Sequence, residues 1–224
     1  MNLAIVVPVR SFARAKQRLS PLLSEDERSR LARTMAEDVF TVVSRLQSYG
    51  RFVISEDAEV LELARKHGLT VIGDQIRGGQ SAAVMQGFEV AWEAGYASAL
   101  TVPGDIPGLT SSELEDLATY RPEVEVLLSP DRQEIGTNGL RLVPPDAIAL
   151  HFGEDSLSLH REESIRRGRS FVLRRHAGIA CDLDRPDDLA AFLRLARPCR
   201  SLELLKAMRI DERLSVLESR RSNG

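Results

Sequence analysis

Several features that mark specialised classes of protein are scarce in this sequence. Two cysteines, Cys181 and Cys199, occur in 224 residues, and no CxxC or Cys/His pattern surrounds either, which argues against a disulfide framework and a zinc site. Basic residues (30) and acidic residues (33) nearly balance, and the formal charge of −3 gives no basic footprint for nucleic-acid binding. No apolar run approaches the roughly 20 residues that span a bilayer. The composition therefore predicts a protein without nucleic-acid or membrane partners.

Export signals and the commonest nucleotide-binding motifs are missing as well. The first residues run directly into an apolar, strand-like segment, with no basic region before it and no cleavage site after it. No Walker A motif occurs, and no GxGxxG follows the first strand. These features, with the few cysteines, predict a cytoplasmic protein. A hydrophobic content of 43% in 224 residues suits one large domain over residues 1–224.

Short apolar, β-branched runs alternate with segments of helical period along much of the chain. The strand-like runs cover residues 3–9, 52–55, 70–72, 99–102, 124–129 and 139–143. Strands separated by helices pair in parallel through right-handed crossovers, and such sheets bind ligands at the carboxyl ends of their strands. The pattern predicts an α/β fold, a three-layer α/β/α sandwich with a mainly parallel, mixed sheet.

Helix boundaries carry capping signals. Ser24 with Glu27 and Thr110 with Glu113 have the spacing of capping boxes, and Pro186 suits the first position of a helix. The predicted helices are one that opens at Ser24 and is stopped by Gly50, one each over residues 58–67, 81–93 and 110–117, one after Pro186, and one over 201–217. Loops are predicted at residues 130–138 and 152–158.

A basic segment follows the first strand. It carries four cations in nine residues, Arg10, Arg14, Lys16 and Arg18. Arginine binds phosphate oxygens bidentately and lysine adds a mobile point charge, so this loop can wrap a triphosphate. On charge alone, a solvated basic loop is the simpler interpretation. The position at the carboxyl end of a strand favours phosphate binding.

Three aspartates in two segments suit a divalent cation. Asp105 follows the fourth strand in a turn with two prolines, and Asp182 and Asp184 alternate on one face of an extended segment. Mg²⁺ takes a few carboxylate oxygens together with substrate phosphates. The alternative is capping, by Asp105 in its turn and by Asp184, Asp187 or Asp188 at the helix that begins at Pro186. Asp105 with Asp182 or Asp184 is the predicted metal set.

A glycine-containing loop over residues 74–82 opens the third predicted helix. Free N–H groups and the helix dipole at such a start can receive an anion or the edge of a base. By itself this loop indicates only a general ligand-binding position.

Taken in order, these segments resemble the 2-phospho-L-lactate or phosphoenolpyruvate guanylyltransferase family of coenzyme F-420 biosynthesis, called CofC-like, across about residues 3–195. The first matching segments are Pro8-Val-Arg10, Ala15-Lys-Gln-Arg-Leu19, Gly104-Asp-Ile-Pro-Gly-Leu109 and Asp182-Leu-Asp-Arg-Pro-Asp-Asp-Leu189. Two more are discriminating, because general GT-A-like nucleotidyltransferases lack them: Gly136-Thr-Asn-Gly-Leu140 and Phe152-Gly-Glu-Asp-Ser156 with His160.

The resemblance implies a nucleotide-diphospho-sugar transferase-like fold and a particular reaction. GMP would pass from GTP to a phosphorylated three-carbon acid, either 2-phospho-L-lactate, phosphoenolpyruvate or 3-phosphoglycerate, with release of pyrophosphate and with Mg²⁺ as cofactor. Residues 1–120 would form a nucleotide-binding half, residues 121–200 an acceptor-binding half, and residues 201–224 a C-terminal helix and tail. A homodimer is a further expectation.

For the site, the resemblance implies roles for residues in both halves. The nucleotide would contact Pro8, Arg10, Lys16, Arg18, Gly79, Ser81 and Asp105, of which Lys16 and Asp105 would be catalytic. The metal would bind Asp105, Asp182 and Asp184, and the acceptor would bind Thr137, Asn138, Gly153, Ser156 and His160. Without the resemblance, His160 is interpreted as an ordinary surface or capping histidine.

Alternatives stay open. Gln80-Ser81 stands where the family has Leu-Asn beside the nucleotide, which keeps a cytidylyltransferase-like enzyme in view. A GT-A-like glycosyltransferase uses a similar aspartate and metal but releases nucleoside diphosphate. A regulatory module would bind a nucleotide without turnover, and the presence of all three aspartates argues against it.

Overall fold

The computed structural model describes residues 2–74 and 78–222, apart from the side chains of Arg14 and of residues 220–222. Within this part of the chain, seven strands form one sheet in the order β3-β2-β1-β4-β6-β5-β7. The strands are β1 (Leu3–Pro8), β2 (Gly50–Ser55), β3 (Thr70–Gly73), β4 (Ser98–Thr101), β5 (Val126–Pro130), β6 (Thr137–Leu142) and β7 (Phe171–Leu173). The first six agree with the predicted strands to within two residues.

The sheet is mixed, as predicted. Strands β1 to β4 pair in parallel, β6 runs antiparallel to both β4 and β5, and β5 pairs in parallel with β7. Because β6 is antiparallel to β4, the amino-terminal end of β6 lies at the carboxyl end of β4. The pairing of β4 with β6 joins the two predicted halves of the chain into one sheet.

Helices cover both faces of the sheet. They are α1 (Glu25–Arg45), α2 (Ala58–Lys66), α3 (Gly79–Glu93), α4 (Ser111–Thr119), α5 (Ser156–Arg166), α6 (Pro186–Leu195), α7 (Arg200–Ala207) and α8 (Ile210–Ser222). Helices α1, α2, α4, α6, α7 and α8 contribute to one hydrophobic cluster, whereas α3 and α5 contribute to the other. The predicted three-layer sandwich is confirmed.

Strand β1 shows why the sequence folds in this way. Leu3, Ile5 and Val7 point into the first cluster, while Ala4 and Val6 point into the second. Successive side chains of a strand point to opposite faces, so a strand covered on both faces is apolar throughout. The unbroken apolar run in the sequence is therefore the signature of a central parallel strand.

The first helix ends earlier than predicted. Both halves of the Ser24/Glu27 capping box are present, and the helix ends at Arg45 rather than at Gly50, which is the first residue of β2. A Cβ atom at position 50 would lie 2.5 Å from the ring of Tyr96. The glycine is thus explained by close packing against an aromatic ring, and its assignment as a helix stop is wrong.

In the second half of the chain, two predictions are also wrong and one strand was not predicted. The loop predicted over residues 152–158 ends at Asp155, in a left-handed conformation with φ of 54°, and α5 begins at Ser156. The single helix predicted over residues 201–217 is two helices, because Arg209 has a φ of 53° between α7 and α8. Strand β7 escaped prediction because it has only three residues.

Among the described residues, the helices include none that is both long enough and apolar enough to cross a membrane.

Candidate active site

A charged cluster lies at the carboxyl ends of β1 and β4. The Nζ of Lys16 donates hydrogen bonds to Oδ2 of Asp105 and to Oδ1 of Asp184, both at 2.6 Å. The N–H of Leu183 donates to the backbone oxygen of Asp105 at 3.3 Å and so ties the two acidic segments together. The structure brings together a lysine and two aspartates that are 89 and 168 residues away in sequence.

Electrostatics bind this cluster together. The side chain of Lys16 is only 6% exposed. Burial disfavours the charged ammonium, but the negative charges of Asp105 and Asp184 outweigh burial and raise the pKa of Lys16 above its usual value. Burial likewise opposes the charge of Asp184, but Lys16, Arg18 and Arg10 outweigh it and lower the pKa of this carboxyl. Each member of the Lys16–Asp184 pair therefore stabilises the charged form of the other.

Asp182 has the opposite balance. Burial first, and then the negative charge of Asp105, raise the pKa of Asp182 from 3.8 to about 6. The side-chain amide of Asn138 donates to Oδ1 of Asp182 at 3.0 Å and to the carbonyl of Ile179 at 3.0 Å, which partly offsets that rise and fixes the carboxylate. Asn138, which was predicted to bind the acceptor acid, donates its amide hydrogen bond to Asp182, one of the predicted metal ligands.

The basic loop divides into one buried and two exposed cations. Lys16 has a left-handed backbone, with φ of 56°, and turns its side chain into the cluster. Arg10 and Arg18 are exposed beside Asp184, and the side chain of Arg14 lies outside the described residues. A simply solvated loop is therefore wrong for Lys16.

The helix beginning at Pro186 is capped by one of the aspartates considered for that role, Asp188. Oδ2 of Asp188 accepts hydrogen bonds from the N–H groups of Asp184 and Arg185, at 3.3 and 2.8 Å. The carboxylate of Asp184 contacts Lys16 instead, and Asp187 is exposed. Capping is thus confirmed for Asp188, the third residue of the helix, and is wrong for Asp184 and Asp187.

The fit of a divalent cation can be judged from the aspartates themselves. Oδ1 of Asp105 is buried without a hydrogen-bond partner, and Asp182 carries a raised pKa among like charges, so the cluster has more negative charge than Lys16 offsets. Hard carboxylate oxygens are the ligands of Mg²⁺. In residues 2–74 and 78–222, no three His, Cys, Asp or Glu side chains are arranged as a ready metal set, and Lys16 lies between two of the three aspartates. The metal assignment stays a prediction.

A neutral cluster lies beside the charged one. The N–H of Thr137, the first residue of β6, donates to Oγ of Ser156 at 2.9 Å, and Oγ1 of Thr137 contacts Nδ1 of His160 at 3.0 Å. The N–H of His151 donates to Nε2 of His160 at 2.9 Å. The start of β6 and the start of α5 thus bring together three of the residues predicted to bind the acceptor.

His160 is fully buried, so the interpretation as a surface histidine is wrong. Burial, with a smaller contribution from His151, lowers its pKa from 6.5 to about 4. Its ring packs edge-on against that of Phe152, with the centroids 5.0 Å apart. The imidazole is therefore neutral at pH 7.

The nucleotide-side loop is linked to this neutral cluster. Oγ of Ser81, near the start of α3, accepts a hydrogen bond from the N–H of Phe152 at 2.8 Å. Gly79 opens α3 with a φ of 79°, and Gly153 has a φ of 126°, conformations that glycine adopts without strain. Residues 75–77 of the predicted loop lie outside the described residues. The described part shows the first turn of α3 hydrogen-bonded to the segment between β6 and α5.

Two features of the site escaped the sequence interpretation. The backbone N–H groups of His151 and Phe152 hold His160 and Ser81, and backbone groups leave no signal in residue type. The sequence does contain a signal for the role of Asn138. This residue follows Thr137 in a strand, so the two side chains must point to opposite faces of the sheet. Thr137 therefore belongs to the neutral cluster and Asn138 to the charged one.

The sheet order and the helices on both faces define an α/β protein with a nucleotide-diphospho-sugar transferase-like fold. A solved structure with this fold, a putative nucleotide-diphospho-sugar transferase from Desulfovibrio desulfuricans G20, superposes with a TM-score of 0.76 over 96% of this chain and 98% of that chain, at 17% identity. The family model "Guanylyl transferase CofC like" matches residues 3–222. The chain belongs to this family, and the match extends through α7 and α8.

Relatives with guanylyltransferase names cover most of the chain. The phosphoenolpyruvate guanylyltransferase of Sphaerobacter thermophilus is 34% identical over 84% of this chain and 91% of the relative. The 2-phospho-L-lactate guanylyltransferase of Methanothermobacter thermautotrophicus is 28% identical over 93% and 92%. The 3-phospho-D-glycerate guanylyltransferase of Colwellia psychrerythraea is 30% identical over 88% and 94%. The protein is a nucleotidyltransferase enzyme.

Proposed function

We propose that this enzyme transfers GMP from GTP to the phosphate of a three-carbon acid and releases pyrophosphate. The candidate acceptors are phosphoenolpyruvate, 2-phospho-L-lactate and 3-phosphoglycerate, the acids for which the three relatives are named. One observation carries the proposal: adjacent residues of β6 join a charged cluster around Lys16 to a neutral cluster at Thr137. We further propose that the product serves coenzyme F-420 biosynthesis, in the cytoplasm, and that the enzyme is a homodimer.

Mg²⁺ is the cofactor that the aspartates suit. Asp105, with its unpaired buried oxygen, would hold the ion together with Asp182 and Asp184. When bound, the ion would neutralise charge on the triphosphate and polarise its α-phosphate. Asn138 would hold the carboxylate of Asp182 in place for this purpose.

The transfer depends on positioning more than on a strong base. The phosphate of the acceptor is an anion at neutral pH, so one of its oxygens attacks the α-phosphorus of GTP without first losing a proton. A new P–O bond forms, the bond from the α-phosphorus to the bridging oxygen breaks, and pyrophosphate leaves with that electron pair. Lys16, Arg10 and Arg18 supply positive charge along the phosphates.

The neutral cluster supplies the acceptor pocket. Thr137 and Ser156 offer hydroxyl groups, and Gly153 offers backbone beside them. The acid would bind there with its phosphate toward the charged cluster, because β6 places the two clusters next to each other. Ser81 would connect the bound nucleotide to this pocket through Phe152.

A pyrophosphate assay tests the proposal. The protein is incubated with Mg²⁺, each of the four nucleoside triphosphates and each of the three acids. Pyrophosphate that appears only with GTP and one acid is the expected result. Release with CTP instead would contradict the choice of base. Nucleoside diphosphate released from a nucleotide sugar would point to a glycosyltransferase, and binding of GTP without turnover would point to a regulatory module.

Asp105→Asn tests the site within the same assay. The substitution removes the negative charge of Asp105, which contacts Lys16 and would also bind the metal ion. Turnover should therefore fall at least roughly 100-fold. Asp187→Asn, a substitution of an exposed aspartate in the neighbouring segment, serves as the matched control and should leave turnover unchanged. Near-normal pyrophosphate release by Asp105→Asn would remove Asp105 from the mechanism.

A further inference from the structure

The two ring nitrogens of His160 have different partners, and these fix where its proton lies. A backbone N–H group can only donate, so the hydrogen bond from His151 to Nε2 requires a lone pair on Nε2. A neutral imidazole with a lone pair on Nε2 carries its proton on Nδ1. The contact of Nδ1 with Oγ1 of Thr137 at 3.0 Å is therefore a hydrogen bond donated by the histidine.

The direction of that bond determines what Thr137 can do. Oγ1 accepts from His160, so the proton of the Thr137 hydroxyl points elsewhere and is available to another acceptor. Ser156 is in the same situation, because its Oγ accepts from the N–H of Thr137 at 2.9 Å. Two hydroxyl groups are thus arranged as donors side by side, and an anion, which only accepts hydrogen bonds, is the ligand that suits them.

We propose that His160 is a positioning residue that fixes the Thr137 hydroxyl as a hydrogen-bond donor to the anionic acid accepted by the enzyme. This inference rests on the proposed function. It explains why the Thr137 and Ser156 hydroxyl groups would bind an anion. His160 is fully buried, so its effect on the acid passes through the Thr137 hydroxyl. An imidazolium attracting the acid by charge is ruled out by the geometry, because a doubly protonated ring could not accept from His151.

The surroundings of His160 keep the ring in this orientation. Its backbone oxygen accepts from Oγ of Ser164 within α5 at 2.7 Å, and the ring of Phe152 packs against its edge. His151 and Phe152 are consecutive, so the segment that positions the ring also receives the hydrogen bond of Ser81. Loss of the hydrogen bond at Nδ1, to Thr137, should therefore have a different effect on binding of the acid from loss of the hydrogen bond at Nε2, to His151.

Two substitutions separate those effects. The amide of Asn ends near the position of Nδ1 and can donate to Thr137, whereas the longer Gln ends near Nε2 and can accept from His151. If His160 acts through Thr137, His160→Gln should raise the KM for the acid roughly tenfold, with the KM for GTP within about twofold of wild type. His160→Asn should keep the KM for the acid near the wild-type value. Equal increases in both variants, or an increase of the KM for GTP to the same extent, would overturn the proposal.

A double substitution adds an independent measurement. Thr137→Val should raise the KM for the acid as much as His160→Gln does, and the double variant should be no worse than Thr137→Val alone, because the histidine acts through the hydroxyl. Additive effects would show that His160 acts by another route. If wild-type protein releases no pyrophosphate with any of the three acids, the proposed function fails instead.

Nitrogen-15 NMR of the wild-type, full-length chain tests the tautomer without reference to activity. The expected spectrum shows Nδ1 of His160 protonated and Nε2 unprotonated at pH 7. A proton on Nε2 would overturn the proposal even if neither variant folded.

Discussion

The two clusters at the carboxyl edge of the sheet are built on opposite principles. Around Lys16, charges of both signs meet, the aspartates are partly exposed, and Oδ1 of Asp105 has no hydrogen-bond partner. Around Thr137, all groups are neutral, His160 is fully buried, and each ring nitrogen of that histidine has a partner. The two arrangements meet at consecutive residues of β6, since Thr137 belongs to the neutral cluster and Asn138 to the charged one.

This difference matches two different tasks. A lysine ammonium is a point charge on a flexible stem, and it can exchange a carboxylate for a phosphate oxygen as charge moves during the reaction. A histidine held at both ring nitrogens cannot change its donor pattern without breaking a hydrogen bond. The charged cluster is therefore suited to a group that reacts, and the neutral cluster to a group that must be recognised.

The largest expected effect comes from removing the charge that holds the first cluster together. Lys16→Ala leaves Asp105 and Asp184 without their shared ammonium and the phosphates without its charge, so kcat/KM for GTP should fall roughly 10²- to 10³-fold. Steady-state pyrophosphate release measures the loss. Lys206→Ala is the matched control, since that lysine is 59% exposed on α7 and contacts only Glu203 among the ion pairs of the described residues. Activity within a few-fold of wild type would contradict a direct role for Lys16.

The second expected effect is a pair of opposite pH dependences of stability. Asp182 has a pKa of about 6 in the folded protein and a usual value of 3.8. Between these values the unfolded chain is ionised while the folded chain still holds the proton, so stability falls as pH rises through this window. Since one pKa unit corresponds to 1.36 kcal/mol, the change amounts to about 3 kcal/mol.

His160 has the reverse sign. Its pKa is about 4 in the folded protein against a usual 6.5, so between these values the unfolded chain binds the proton and the folded chain does not. Stability therefore rises with pH through this window, also by about 3 kcal/mol, and is lost again as pH falls through it. In the wild-type protein the two contributions have opposite signs over overlapping pH ranges.

Substitution at either residue should expose the other contribution. Urea unfolding between about pH 4 and pH 7, without divalent cations, measures the free energy of unfolding of each protein. Relative to wild type, Asp182→Asn should become more stable as pH rises, and His160→Asn should become less stable. Parallel curves for wild type and Asp182→Asn would show that Asp182 titrates in the folded protein as it does in the unfolded chain.

Much of the fold could be predicted because local signals agree with the final packing. The capping residues Ser24 and Thr110 mark helix starts, and both capping boxes are formed. The rule that ligands bind at the carboxyl ends of parallel strands placed Lys16 and Asp105 at the same edge. Short elements were harder: β7 has three residues, and the left-handed Arg209 that separates α7 from α8 has no distinctive residue type.

The details of the site depended on contacts between distant segments. Residue types indicated a basic loop and acidic segments, but not that Lys16 would be buried between Asp105 and Asp184 through a left-handed backbone. The burial of His160 likewise depends on β6 and residues 151–152, which the pattern of α5 alone does not reveal. Composition identified the groups present, and the tertiary contacts determined their charge states and donor directions.

The smallest expected effect concerns the link between the two halves of the site. Ser81→Ala removes the acceptor of the Phe152 N–H group, and one neutral hydrogen bond contributes about 1 kcal/mol, which corresponds to roughly a fivefold change. The KM for the acid should rise by about that factor while kcat stays within about twofold, because the segment before α5 loses one support but the reacting groups are untouched. Amide hydrogen exchange at Phe152 should accelerate in the same variant. Ser215→Ala, which removes a hydroxyl bonded within α8, should alter neither quantity. An unchanged KM with unchanged exchange at Phe152 would mean that the neutral cluster holds its geometry without help from α3, and that the two halves of the site are connected only through β6.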